Sequence, residues 1–294
     1  LSEITLSSIF RIIRREKFLI LSLTSIFSIS SIIYSLSLPN IFMSSSLLIV
    51  NESGGGSSRL SGLIGEYGGL ASLAGVDLPS GSSSDKASLA IEMVLSRDLV
   101  RDLIKKDNIL PILMATKSYD SVNKKVIFDN SIYDSKKNTW VRKPTKNYQT
   151  IPSYLEAHRE YLKIVDISKD KKTNYITIRV RHQSPQFSEY LLSSIISEVN
   201  QKVRLKDLEI ASNSIEYLQS LVKEVSFQRI KTSINNLVES NIESQMLASI
   251  DEEYLFRPID PPYTPEIRFA PSRSMIVILI TILGGFLSMI FVLI

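Results

Sequence analysis

Two uncharged apolar runs bracket the chain, and they constrain it more than any other feature. Phe18–Leu38 (FLILSLTSIFSISSIIYSLSL) is 21 residues without a charge, and Met275–Ile294 (MIVILITILGGFLSMIFVLI) is 20. A bilayer core of roughly 30 Å takes about 20 helical residues at 1.5 Å rise each. Transmembrane helices are therefore expected at 18–38 and 275–294, with membrane lipid as their partner. The first run holds seven serines and one threonine, which a helix tolerates because a hydroxyl can bond back to its own carbonyls. A signal peptide would have a shorter apolar run, about 7–15 residues, and a small-x-small cleavage site; no such site stands out before Pro39. Residue 1 is Leu and residue 294 lies inside an apolar run, so the native protein is expected to extend beyond both.

Charge orients the pair. Arg11, Arg14, Arg15 and Lys17 precede the first run against Glu3 and Glu16. The positive-inside rule puts residues 1–17 in the cytoplasm, and two spans return the C-terminus there. Residues 39–274 are then extracytoplasmic. The formal charge of the whole chain is only +4, and no dense basic face accompanies it, which argues against a nucleic-acid binder. There is no cysteine, so disulfides, thiolate metal sites and cysteine nucleophiles are excluded.

The outer segment reads as α/β, a small mixed sheet plus a very long helix. Strands are expected at Ser44–Asn51, Lys163–Ser168, Asn174–Arg181 and Tyr254–Asp260, where apolar and polar residues alternate. Lys169–Asn174 is the turn between the second and third. Nine glycines crowd Gly54–Gly81, and that stretch reads as a loop with short helical turns such as Leu70–Ala74. It matches neither a P-loop nor a dinucleotide fingerprint. Asp85 is expected to cap one helix over Lys86–Lys106, ended by Asn108–Pro111. The stretch Tyr119–Asn147 reads as loops with one strand, Lys125–Asp129, and Ser153–Tyr161 as a short helix.

No glycine or proline occurs in the 72 residues from Gln186 to Arg257. If Phe187–Ile250 is one helix it is about 96 Å long. Leu208, Ala211, Ile215, Leu218, Val222 and Val225 repeat in 3-4 spacing, a narrow coiled-coil-like seam. The phase then slips and resumes at Ile230, Ile234, Leu237 and Asn241. The other reading is two helices joined near Asn235–Asn236. Either needs a partner for its seam, and a homo-oligomer is expected to supply it.

Catalytic chemistry has little to stand on. His158 and His182 are the only histidines, neither has a companion at ligand spacing, and both read as solvated surface residues. There is no GxSxG elbow. Asp251–Glu253 reads as a solvated helix end. No catalytic residue, metal site or cofactor is assigned.

The approach to the second apolar run, PPYTPEIRFAPSR over residues 261–273, resembles the proline-rich motif of the Wzz-type chain-length determinants, the polysaccharide co-polymerases of bacterial envelopes. The family pattern is PxxP, four residues, Ser-Pro, then a transmembrane helix containing glycines. Pro262 and Pro265 form the PxxP, Ala270–Pro271 stands in the Ser-Pro place, and Gly284 and Gly285 lie in the helix. Alanine in place of serine is a mild departure. FRPIDPP (256–262), ITIRVRHQSPQ (176–186) and the order of elements also resemble the family. The resemblance implies a ring-shaped oligomer of the inner membrane that is a regulator without catalysis. It implies control of the length of O-antigen or a related polysaccharide, a Wzy-type polymerase as partner, and the nascent polysaccharide as a further contact. The same topology would also suit a polysaccharide-export adaptor or the sensor half of a two-span signalling receptor.

Overall fold

The computed structural model describes residues 14–51, 83–145, 148–250 and 252–293. The glycine-rich stretch, with its expected turns, lies outside them. The chain divides into two units, residues 1–42 with 266–294, and residues 43–265.

The first unit is a helix pair. Helix α1 (Lys17–Ser37) and helix α8 (Arg273–Leu293) coincide with the two expected spans to within two residues. Both are long and apolar enough to cross a bilayer. Most of their apolar side chains point away from protein: Phe18, Leu21, Ile33, Phe286 and Phe291 are each more than half exposed. Water would penalise such a surface, whereas lipid tails match it.

The second unit holds a four-stranded sheet in the order β6-β7-β1-β8. Its strands are β1 (Phe42–Val50), β6 (Val165–Lys169), β7 (Ile176–His182) and β8 (Phe256–Asp260). All four expected strands are present. β6 and β7 form an antiparallel hairpin, with Val165 opposite Val180 and Ile167 opposite Ile178. Asp170 Oδ1 accepts from the amides of Lys172 and Thr173, and Asn174 turns the chain at φ 59°. Asparagine is among the few side chains that tolerate this left-handed region. β8 pairs antiparallel with β1, Ile49 facing Arg257 and Val50 facing Phe256.

One face of the sheet is apolar, and the helices cover it. Ile176, Ile178 and Val180 alternate inward from β7 and join Leu48, Val50 and Phe256. Against them pack Leu191, Leu192, Ile195 and Val199 of α6 (Pro185–Glu224), all fully buried. Ser184 caps α6, its hydroxyl accepting from Phe187 N, and Pro185 occupies a first-turn position where its missing N–H costs nothing. Tyr161 of α5 (Tyr154–Ile164) is fully buried and donates to Val94 O at 2.8 Å.

Three expectations are corrected. The helix expected at Lys86–Lys106 is two, α2 (Ser83–Val94) and α3 (Arg97–Asp107). Asp85 lies inside α2, past its first residue Ser83, and so does not stand at the expected N-cap position. Ser96 breaks the run: its backbone is extended and its hydroxyl accepts from Leu99 N at 3.1 Å. Asn108 ends α3 in the left-handed conformation, but Pro111 then starts a further helix, α4 (Leu110–Ala115). Second, Lys125–Phe128 (β3) has a partner strand, β2 (Thr116–Asp120), and a small hairpin follows, β4 (Tyr133–Asp134) with β5 (Thr139–Trp140). Tyr133 packs edge-on against Phe128 and Trp140.

The third correction is the largest. Residues 187–250 do not form one helix, nor do they turn near Asn235–Asn236. α6 ends at Glu224, and α7 (Gln228–Ile250) begins after three residues, Val225–Phe227. Tyr254, just beyond α7, donates to Asp207 on α6 at 2.8 Å, so α7 doubles back along the distal half of α6. An antiparallel hairpin gives the apolar seam a partner inside the chain. A lone straight helix would have left it in solvent. Ala211 and Ile234 are buried in this contact.

Candidate functional site

In the helix pair, the close approach centres on Gly284. A Cβ there would lie 2.6 Å from both Cβ and Cγ of Phe27, nearer than carbon atoms can sit. A Cβ at Gly285 would meet only Thr24 Cγ2 at 3.9 Å, an ordinary contact. The two glycines therefore differ: one is a steric requirement, the other is not. One turn further along α8, Ser288 is buried, and its Oγ lies 3.1 Å from Thr24 Oγ1. Each hydroxyl also reaches a carbonyl of its own helix, Thr24 to Ile20 O and Ser288 to Gly285 O. A hydroxyl carries a single proton, so one of the two must leave its own carbonyl to donate across. Such cross-helix bonds hold apolar helices in register where no hydrophobic force acts between them.

The ends of the pair are tied as well. Arg273 Nη2 donates to Leu38 O at 3.3 Å and Asn40 Oδ1 at 3.1 Å. Ile41 and Ala270 exchange backbone bonds, N to O at 2.9 Å and 3.2 Å. Pro271, half-buried, follows through a cis peptide and precedes α8.

In the second unit, the PxxP segment lies along β1. Pro265 is buried and Pro262 half-buried. Two buried serines of β1 hold the segment: Ser44 Oγ donates to Tyr263 O and Ser46 Oγ to Asp260 O, each at 2.7 Å. The Thr264 hydroxyl donates to the Glu189 carboxylate of α6. Prolines have no N–H to donate, so an extended proline segment beside a strand must be held through its carbonyls. The sequence reading missed Ser44 and Ser46. The signal was available: they share the inward phase of Leu48 and Val50.

A second missed residue is Asn200 of α6. Its amide donates to Phe256 O at 2.9 Å, and its Oδ1 accepts from Leu255 N and Phe256 N at 3.0 and 2.6 Å. It fixes the point where the chain leaves the hairpin and enters β8. Nearby, Lys202 pairs with Asp98 and Asp102 of α3, and its donation holds the Asp102 carboxyl below the usual carboxylate range.

The structure thus brings Gly284 and Gly285 against α1, and ties the segment that holds Pro262 and Pro265 to β1 through Tyr263 and to α6 through Thr264. The seam residues stand apart on the hairpin. Ala211 is buried, whereas Leu208, Ile215, Leu218, Val222 and Val225 are half-buried. Neither histidine is a solvated surface residue. His158 Nε2 lies 2.8 Å from Leu95 O. His182 is buried at the end of β7, and its Nδ1 accepts from Ser184 N at 3.0 Å. Burial pushes its pKa down to about 4, so the ring is neutral at physiological pH. Among the described residues, no group of three or more His, Asp and Glu is placed to hold a metal ion. The contacts at these places are packing and positioning contacts.

Residues 2–106 match the family model of the Wzz chain length determinant proteins. The match takes in α1, β1, α2 and nearly all of α3, and stops well before the proline segment. The proline segment at residues 261–273, which resembles the proline-rich motif of that family, lies outside the match. No curated protein matches significantly. Among solved structures, a full-length bacterial polysaccharide co-polymerase is similar at 11% identity and TM-score 0.41, over 98% of this chain and 96% of that one. A fragment of WzzB, the polysaccharide co-polymerase from Salmonella Typhimurium, is similar at 10% identity and TM-score 0.36, over 79% of this chain and all of the fragment.

Proposed function

We propose that this protein regulates the chain length of a bacterial surface polysaccharide, as a non-catalytic oligomer of the inner membrane working beside a Wzy-type polymerase. The Wzz match over residues 2–106 carries the reading. The proline-rich approach to α8, outside that match, supports it. The basic residues 11–17 keep the N-terminus cytoplasmic, so the sheet and hairpin face the periplasm.

In this reading the chain contributes geometry. α1 and α8 hold it in the bilayer through Gly284 and the Thr24–Ser288 bond. Ser44 and Ser46 fix the PxxP segment to the sheet. The hairpin seam, half-buried within one chain, packs further against neighbouring copies. The chain's effect on the polymer then follows from where it holds the polymerase and the growing glycan.

The test is deletion of the coding sequence in a strain with an active polymerase, followed by gel separation of surface polysaccharide. The modal length should be lost, and reintroduction of the intact chain should restore it. An unchanged distribution overturns the proposal.

A further inference from the structure

The segment 135–155 carries five cations, Lys136, Lys137, Arg142, Lys143 and Lys146, and no acidic residue. Part of it runs beside α5, and a groove of about 460 Å³ lies between them. That volume falls in the range of small-ligand sites. Four cations and two carboxylates line it.

The carboxylates are already engaged. Arg142 Nη1 and Nη2 donate to the two oxygens of Glu156 at 2.5 and 2.8 Å, and its Nε donates to Thr150 O at 3.0 Å. Only 16% of the Arg142 side chain is exposed. Lys163 pairs with Glu160 at 2.8 Å. Lys143 and Arg159 have no carboxylate partner among the described residues. The Arg159 guanidinium instead lies 5.7 Å from the centre of the Tyr148 ring, with Arg142 at 5.9 Å from the same ring. The unneutralised Arg159 thus stands beside an aromatic ring that Arg142 also approaches, and the unneutralised Lys143 lines the same groove.

We infer that this groove binds an acidic saccharide unit, its oxyanion on Arg159 and Lys143 and its ring along Tyr148. Guanidinium groups bind carboxylate and phosphate oxygens with directed, charge-assisted bonds. A bare anion would use the charges alone. The ring, the Thr145 hydroxyl and the aliphatic stem of Lys163 add the mixed apolar and neutral wall that a sugar needs. The inference deepens the chain-length reading and rests on it for the identity of the polymer.

Binding is read by titration calorimetry, because Trp140, the single tryptophan, packs on Tyr133 and does not line the groove. The full chain in detergent is titrated with tetragalacturonate, with uncharged maltotetraose and with inorganic phosphate. Tetragalacturonate should give a saturable change that weakens with added salt, and maltotetraose should give none. The double variant Arg159→Ala, Lys143→Ala should bind about tenfold more weakly or worse, the loss of about one charge-assisted bond. Both side chains are exposed, and an unchanged melting midpoint will show that the variant is folded. Equal response to maltotetraose, unchanged affinity in the variant, or phosphate saturating as readily as the saccharide would each overturn the assignment. Absent binding with an altered polysaccharide in the deletion strain sinks the groove alone. Binding with an unaltered polysaccharide upholds the groove and sinks the chain-length reading.

Discussion

His182 shows how one side chain sets a pH limit on the fold. Its ring is buried against Phe187 at 4.6 Å between centroids, and Nδ1 serves as an acceptor. The unfolded chain takes up a proton near pH 6.5, the folded one only near pH 4. Above pH 6.5 both states are neutral and stability is full. Between pH 6.5 and 4 the unfolded state binds more protons, so stability falls as pH falls. The upper bound is about 3 kcal/mol. Melting curves from pH 7.5 to 4.5 should show this decline, and His182→Asn should flatten it. A decline that survives the substitution assigns the effect elsewhere. The carboxylates of Asp102, Asp129 and Asp170 are all held below their usual range, so they act at lower pH and leave this window clear. Asn200 is a second test at this scale. Asn200→Leu keeps the volume but strands two amides and a carbonyl at the start of β8. About 2–4 kcal/mol of stability should be lost, with faster amide exchange at Leu255 and Phe256. Neither residue was legible beforehand. A lone histidine at a strand end and an asparagine within a helix look solvated until the fold shows what covers them.

Between elements, the helix pair offers a controlled contrast. Gly284→Ala drives a methyl into Phe27 and should destabilise the α1–α8 contact by about 1–3 kcal/mol. Gly285→Ala adds only an ordinary contact with Thr24 and should change it by less than about 1 kcal/mol. Phe27→Ala should rescue Gly284→Ala, because the two changes share one contact and cannot be additive. The measurement is the midpoint of SDS unfolding in mixed micelles for the four variants. Equal effects at the two glycines would remove the steric argument. The pair itself was legible because length and apolarity suffice for a membrane helix. The second unit shows where legibility ends. Its strands were readable from alternation, since among the described residues the helices cover one face of the sheet. The split at Ser96 was not, because a serine inside an amphipathic run serves equally as an interior residue or as an N-cap. The turn at Val225–Phe227 contains no glycine or proline, yet the slip in phase after Val225 marked it. A break in periodicity was the better sign than the residues at the break.

For the whole molecule, the hairpin raises the question its own seam does not answer. Folding α7 back on α6 half-buries Leu208, Ile215, Leu218 and Val222, but it leaves large apolar side chains outside. Tyr217 is 64% exposed, Phe227 73% and Met246 58%. Monomers rarely leave so much apolar surface uncovered over one element pair without using it. A second copy is the partner that every molecule has at hand, and symmetry lets one patch serve many contacts. Light scattering of the detergent-solubilised chain should therefore give a single assembly of several copies. Tyr217→Glu combined with Met246→Glu should shift it toward smaller species with an unchanged melting midpoint for the sheet, because both side chains lie outside the core. The same double variant, expressed in the deletion strain, should fail to restore the modal polysaccharide length. A smaller assembly that still sets the length would separate regulation from oligomer size, and would place the determinant in the single chain's own surface.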